Sequence, residues 1–291
     1  MPQKKNVLVI GGSGFIGSHL VDELIVNKYN VSVLDIKKSI YHNKKAKFIK
    51  CSIEDHKNLS KNIKKNNIIY HLAGISDLNK AYSDALGTAQ LNLLATVRIL
   101  NDCVLHNIEK FVFASSIYVN SSFGGFYKAS KIACENYIQE FSKIYNLNYR
   151  ILRYGSIYGP RADISNGIYS ILHNSKIHNK LVYKGSKQSV RRYIHVKDVA
   201  KISVNLLANK YNNRFINITG DYDVKIEDLL KMISRIIKVK KIEYSKDKYL
   251  GHYIKTPFNF KSINAINIKQ KNKIKIKEGL TELIREIYGK Y

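Results

Sequence analysis

Val7-Leu8-Val9-Ile10-Gly11-Gly12-Ser13-Gly14-Phe15-Ile16-Gly17-Ser18-His19-Leu20 stands almost at the start of the chain, and its order decides the fold. A short aliphatic run predicts a buried strand. Glycines in the spacing G-x-x-G-x-x-G follow it, and then Ile16, Leu20 and Leu24, with Val21 and Ile25, recur at helical spacing. Strand, glycine turn and helix in that order make the first unit of a parallel sheet. The glycines allow a tight turn and let the backbone approach a pyrophosphate, whose charge the positive end of the following helix favours.

Outward from this stretch, β-rich runs alternate with helical periodicity. Strands are predicted at 7–10, 31–34, 47–50, 68–72, 111–114 and 149–152. The fold class is therefore α/β: a Rossmann-type doubly wound parallel sheet with a smaller C-terminal α/β substrate lobe. Past Gly159-Pro160 the pieces shorten to a helix over 167–173, a strand over 181–183 and a helix over 197–207. A strand over 215–218, a helix over 226–237 and a last helix over 280–287 follow. Residues 1–160 and 186–212 are assigned to the dinucleotide-binding domain, and 161–185 and 213–291 to a lobe laid over the carboxyl edge of the sheet, where ligands of open α/β sheets bind.

With 291 residues, 45% of them hydrophobic, the chain can cover a real core, which excludes disorder. The 49 Lys and Arg against 22 Asp and Glu give a net charge of +27. These lysines are spread among Asn, Ile and Tyr with no unbroken basic block. A generally basic surface that attracts anionic substrates is the expectation, and a nucleic-acid partner is disfavoured. Cys51, Cys103 and Cys134 show no metal or redox spacing and read as buried thiols of a cytoplasmic protein. No apolar run is long enough for a membrane span.

Asp35 ends the second predicted strand, with Ile36 beside it. Its carboxylate can accept hydrogen bonds from an adenosine ribose and would repel a 2′-phosphate, so NAD is expected over NADP, although Lys37 and Lys38 could soften the preference. Tyr127-Lys128-Ala129-Ser130-Lys131 places Tyr127 and Lys131 at i and i+4, on one face of a helix. A free tyrosine is a poor base at neutral pH, and a nearby ammonium stabilises its phenolate. Ser116, just past the strand 111–114, stands where its hydroxyl can hold a reacting oxygen.

These features join others: His71-Leu72-Ala73-Gly74, Phe113-Ala114-Ser115-Ser116, Leu152-Arg153-Tyr154-Gly155, Tyr158-Gly159-Pro160 and Arg192-Tyr193-Ile194-His195-Val196-Lys197-Asp198-Val199-Ala200. In this order they resemble the extended short-chain dehydrogenases, the NAD-dependent epimerase/dehydratase family of nucleotide-sugar enzymes. The resemblance covers nearly the whole chain. It implies NAD as cofactor, a nucleotide-diphospho-sugar as substrate, and a homodimer through the helices after Asn92 and after Tyr127.

It also implies roles. Tyr127, Lys131 and Ser116 would be catalytic, with Ser115 the alternative serine. Gly11, Gly14, Phe15, Ile16 and Gly17 would hold the cofactor with Asp35 and Ile36, and Ser52 and Ile53 would flank its adenine, although the family commonly has Asp in place of Ser52. Leu72, Ala73 and Gly74 would pass beneath it, Asn92 would brace the central helix, and Tyr154 would border the nicotinamide. Ser156, Arg161, His252 and Tyr253 would contact substrate, with Arg191 pairing to its diphosphate. Tyr253 and Phe258 fit equally well as core aromatics, and His195 reads as a structural member of its motif.

Two departures matter. Only 11 positions separate Ser116 from Tyr127, shorter than in the family's epimerases, which implies a more open sugar pocket. After Ser116 stand Ile117 and Tyr118, where the family's dehydratases carry Asp-Glu and its C3/C5 epimerases a Cys. That leaves C4 epimerisation, in the making of surface polysaccharide sugars, as the expectation. A 4-dehydrogenase or 4-keto reductase with net redox is the alternative, and a non-catalytic dinucleotide-sensing protein stands behind both.

Overall fold

The glycine-flanked run becomes the centre of a parallel sheet. The structure is a computed structural model that describes residues 4–245, 265–268 and 273–289. Its strands begin with β1 (Asn6–Ile10), β2 (Asn30–Asp35), β3 (Lys47–Lys50), β4 (Ile68–His71), β5 (Lys110–Ser116) and β6 (Tyr149–Tyr154). Short strands β7 (Ser156–Tyr158), β8 (Leu181–Lys184), β9 (Val190–Arg191) and β10 (Tyr193–His195) follow. The last are β11 (Arg214–Ile218), β12 (Val224–Lys225), β13 (Ile242–Ser245) and β14 (Ala265–Asn267).

The helices are α1 (Phe15–Val26), α2 (His56–Ile63), α3 (Leu78–Ser83), α4 (Ala85–Thr88), α5 (Ala95–Leu105), α6 (Gly125–Tyr145), α7 (Gly167–His178), α8 (Val196–Asn205), α9 (Ile226–Ile237) and α10 (Ile276–Tyr288).

Eight strands form one sheet in the order β14-β11-β6-β5-β4-β1-β2-β3, every neighbouring pair parallel. Alternation along β1 serves both faces. Leu8 and Ile10 pack with Ile99 and Leu100 of α5 and Ile138 of α6, whereas Val7 and Val9 pack with Leu20 and Leu24 of α1 and Val199 and Ile202 of α8. A strand covered on both sides must be apolar throughout, which explains the unbroken run 7–10.

The outer pieces gather in a third core, where Leu172 of α7, Leu181 of β8, Leu229, Leu230 and Ile233 of α9, and Leu280, Leu283 and Ile284 of α10 meet. Here β8 pairs with β13 and β9 with β12, while β10 pairs with β7 directly beyond β6.

The division drawn from sequence needs one change. β11 and β14 hydrogen-bond into the large sheet, so 214–218 and 265–267 stand with the dinucleotide-binding domain and not with the lobe. β5 also runs two residues further than its aliphatic core, which makes Ser116 the last residue of the strand, not a residue past it. The three cysteines are buried free thiols. Among the described residues no helix is long and apolar enough to cross a membrane.

Candidate active site

The loop from β1 into α1 is a cradle closed to side chains at Gly11 and Gly17. Gly11 has φ +83°, and a Cβ there would lie 2.5 Å from the backbone nitrogen of Ala73. A Cβ on Gly17 would lie 2.3 Å from the carbonyl oxygen of Gly11. At Gly11 the cause is the close approach of β4's continuation, whose Leu72 and Ala73 amides both donate to the Ile10 carbonyl, at 2.8 and 3.1 Å, and at Gly17 it is the turn folding back on Gly11 and Gly12. Gly14 caps α1 with no side-chain hydrogen bond, and the first turn holds no acidic residue. Across the loop the Asp35 carboxylate accepts from the Ser13 amide (3.0 Å) and the Ile36 amide (2.8 Å). Bare backbone at an uncapped helix N-terminus, faced by one carboxylate, fits a dinucleotide whose pyrophosphate sits on α1 and whose ribose reaches Asp35.

The second half of the site is a ladder between α6 and the end of β5. Lys131 Nζ donates to the Ala114 carbonyl at 2.8 Å, and the Ser116 hydroxyl hydrogen-bonds Tyr127. Tyr127, Lys131 and Ser116 are buried, and Lys131 Nζ lies 4.6 Å from the Phe113 ring centre and 5.9 Å from that of Tyr127. The i, i+4 spacing thus puts Tyr127 and Lys131 on one face of α6, Tyr127 at Ser116 and Lys131 at the Ala114 carbonyl. Burial pushes the Tyr127 phenol above its ordinary range, and the Ser116 hydrogen bond opposes that. Burial also pushes Lys131 down, against the influence of Cys134 and Glu135. The pair is poised so that added positive charge nearby favours phenolate.

Asn92 does brace the centre. Its Oδ1 accepts from the Ile75 amide (2.7 Å), and its Nδ2 donates to the Ile75 carbonyl and to Ser130 Oγ, both at 3.0 Å. It lies in a π-helical stretch, Ala89–Leu94, and its Oδ1 is what a Cβ on Gly74 would strike at 2.6 Å. Ile53 is buried, and Ser52 accepts the Glu54 amide in a turn after β3. Phe15 packs edge-on to His19 at the start of α1, with Ile16 half-buried behind it.

Other residues expected at the site make contacts within the fold. The Tyr154 hydroxyl pairs with Ser203 Oγ of α8 at 2.9 Å, so only its backbone borders the site. The Arg161 guanidinium binds Asp22 of α1 at 2.8 Å and lies over the Tyr41 ring, and its amide donates to Glu286 of α10. Its contacts join α1 to α10 and not to the Tyr127 group. Ser156 begins β7, and Arg191 is buried in β9 with Nη1 donating to the Val190 carbonyl at 3.0 Å. His195 caps α8 through Nδ1 and is held down to about 4 by burial, so it is a neutral structural residue. His252 and Tyr253, with the stretch around them, lie outside the described residues.

Sequence reasoning passed over Glu135 and Arg153. Arg153 donates Nε and Nη2 to the two Glu135 oxygens at 2.9 and 2.6 Å, and Ser115 donates to Glu135 at 2.5 Å. The available signal was the spacing of Tyr127, Lys131 and Glu135 at i, i+4 and i+8.

Residues 7–219 match the family described as NAD dependent epimerase/dehydratase. A putative UDP-glucose 4-epimerase of Methanocaldococcus jannaschii is 30% identical over 96% of this chain and 97% of its own. A dTDP-D-glucose 4,6-dehydratase of Mus musculus is 22% identical over 96% of this chain and 88% of its own. The crystal structure of a UDP-glucose 4-epimerase from Thermotoga maritima with UDP-glucose superposes with a TM-score of 0.85 at 25% identity, covering 98% of this chain and 99% of that one.

Proposed function

Because this chain belongs to the NAD dependent epimerase/dehydratase family, we propose that it inverts C4 of a nucleotide-diphospho-sugar and retains its cofactor through the cycle. The observation that carries the reading is the joining of Tyr127, Ser116 and Lys131 at the end of β5, with the glycine cradle at the end of β1, one strand beyond β4 in the same sheet. NAD held by that cradle and by Asp35 supplies a hydride acceptor that becomes a hydride donor. Tyr127 takes the proton from the sugar hydroxyl as the carbon is oxidised and returns it when the ketone is reduced on its opposite face. Ser116 holds the reacting oxygen, and Lys131 stabilises the phenolate. Arg191 is the candidate for the diphosphate.

Dehydration needs an acid and a base beyond this group. Ile117 is buried and Tyr118 follows it in a 3₁₀ turn, and neither supplies a carboxylate. A second reading, oxidation with release of the keto sugar, draws on the hollow of about 200 Å³ lined by Leu78, Tyr82, Phe123 and Phe126 beside the short connection into α6. The test incubates protein with a sugar nucleotide and no added cofactor, following the C4 epimer by NMR and NADH by absorbance. Epimer without NADH supports inversion, and stoichiometric NADH with a 4-keto product overturns it. The same reading has two copies pairing through α5 and α6, where Leu105, Tyr137, Ile144 and Tyr145 are exposed. A monomer in sedimentation at micromolar concentration would refute that assembly.

A further inference from the structure

Three successive residues of β5 each engage α6. The Ala114 carbonyl takes Lys131, the Ser115 hydroxyl donates to Glu135, and the Ser116 hydroxyl meets Tyr127. Ser115 and Arg153 are direct neighbours across β5 and β6, and both reach the same carboxylate. Glu135 and Arg153 are 4% and 6% exposed, so both charges are out of water, and the Arg153 guanidinium lies over the Phe215 ring at 4.5 Å. A bidentate Arg–carboxylate contact fixes orientation as well as distance. Cys134, Ile138 and Phe141 pack α6 onto the sheet through apolar contacts that carry no direction of their own. The middle rung adds directional bonds to two strands at once.

We propose that Glu135 is a positioning residue of the site, its carboxylate locking α6 in register on β5 so that Lys131 stands charged beside Tyr127. Arg153 is its orienting partner. The inference rests on the catalytic reading above only for its kinetic readout. The titratable and charged groups facing Lys131 are Tyr127, Cys134 and Glu135 from α6, His71 from β4, and Arg153 of β6 through Glu135. His71 is held down to about 3 by burial and by Lys131, so it adds no competing cation. Without Glu135, Arg153 would be a second buried cation near the lysine.

Two variants separate positioning from simple structural support. E135Q keeps the shape and removes the charge. E135L/R153M removes both charges together, an exchange that commonly leaves buried pairs no less stable. Thermal melting reads stability, steady-state turnover reads kcat and KM, and 13C NMR of ε-labelled lysine follows the Lys131 titration without substrate, assigned by the signal lost in K131M. Expected are a kcat at least about tenfold lower in both variants with KM nearly unchanged, and a Lys131 midpoint moved to lower pH in E135Q. The double variant should melt no lower than E135Q and still not recover kcat. Recovery of wild-type kcat in E135L/R153M would show a purely structural tie and overturn the proposal. If the wild type turns over no sugar nucleotide, the functional reading fails separately, and an unmoved Lys131 midpoint in E135Q then overturns this one.

Discussion

Substituting Gly11 by alanine tests the cradle directly, because two separate costs can be worked from its surroundings. Its φ of +83° is a left-handed conformation that costs an L-residue roughly 1–2 kcal/mol. The added Cβ would also lie 2.5 Å from Ala73 N and 2.9 Å from Ala73 Cα and Leu72 C, all backbone atoms that cannot rotate away. Relief requires the ends of β1 and β4 to part where Leu72 and Ala73 donate to Ile10, and such overpacking costs about 1–3 kcal/mol. The sum, about 2–5 kcal/mol, corresponds to a melting temperature lower by about 3 to 8 °C for a chain of this size. Gly125 is the control: its φ is +47° with nothing within 4 Å of the added atom, so Gly125→Ala bears only the conformational cost. Gly167, at the start of α7 with no positive φ and open space, should gain a few tenths of a kcal/mol as alanine. Calorimetric melting of the three variants, with NAD titration of each, checks the order. Gly11→Ala melting with Gly125→Ala would refute the claim that the cradle is closed by rigid backbone.

Tyr127→Phe should abolish turnover while leaving NAD affinity within a few-fold, since only the proton-moving hydroxyl is lost; more than about a tenth of wild-type activity would assign the base elsewhere. NAD should bind more tightly than NADP in calorimetry if the Asp35 carboxylate, beside the glycine loop, takes the ribose hydroxyls, and Asp35→Asn should narrow the gap; equal affinities in the wild type would remove that role. Burial holds His19 and His195 down to about 4, so the unfolded chain, with histidines near 6.5, binds protons that the folded one refuses between those values. Their contribution, up to about 3 kcal/mol each, is complete above about pH 6.5 and is lost as pH falls towards 4. Melting temperatures at pH 7 and 5 should differ by less in His19→Gln, and an undiminished difference would exclude that histidine.

What was legible in the sequence is what neighbouring residues decide. α9 is predicted to the residue because Ile226, Leu229, Leu230, Ile233 and Ile237 mark a stripe that acidic Glu227 and Asp228 begin on the other side. Tyr127 and Lys131 were legible because their relation is one turn of a helix. Arg150 shows the opposite case. It is fully buried in β6, donating to the Leu206, Leu207 and Ala208 carbonyls and to Asn212, and partners more than fifty residues away leave no local trace. The same holds for Glu135, which reads as one more polar residue of an amphipathic helix until β6 brings Arg153 beneath it. β11 and β14 were assigned to the lobe because they follow its elements in the chain, yet pairing obeys the sheet and not the order of residues.

The short connection between Ser116 and Tyr127 closes because each of its turns is built from its own residues. Ser116 Oγ accepts the Tyr118 amide at 3.3 Å to start the 3₁₀ turn, and Ser121 Oγ accepts the Phe123 amide at 3.0 Å. Gly124 and Gly125, at φ +108° and +47°, then reverse the chain into α6. A Cβ on Gly124 would meet Lys128 Cβ and Tyr118 Cδ1, both at 2.9 Å, so the reversal is packed against Tyr118. A connection folded this tightly on itself has no slack to reach outward. Phe123 and Phe126 are consequently left exposed at its outer edge, beside Leu78 and Tyr82 of α3. The geometry that brings Tyr127 to Ser116 is therefore the same geometry that leaves Phe123 and Phe126 lining an open hollow beside α3.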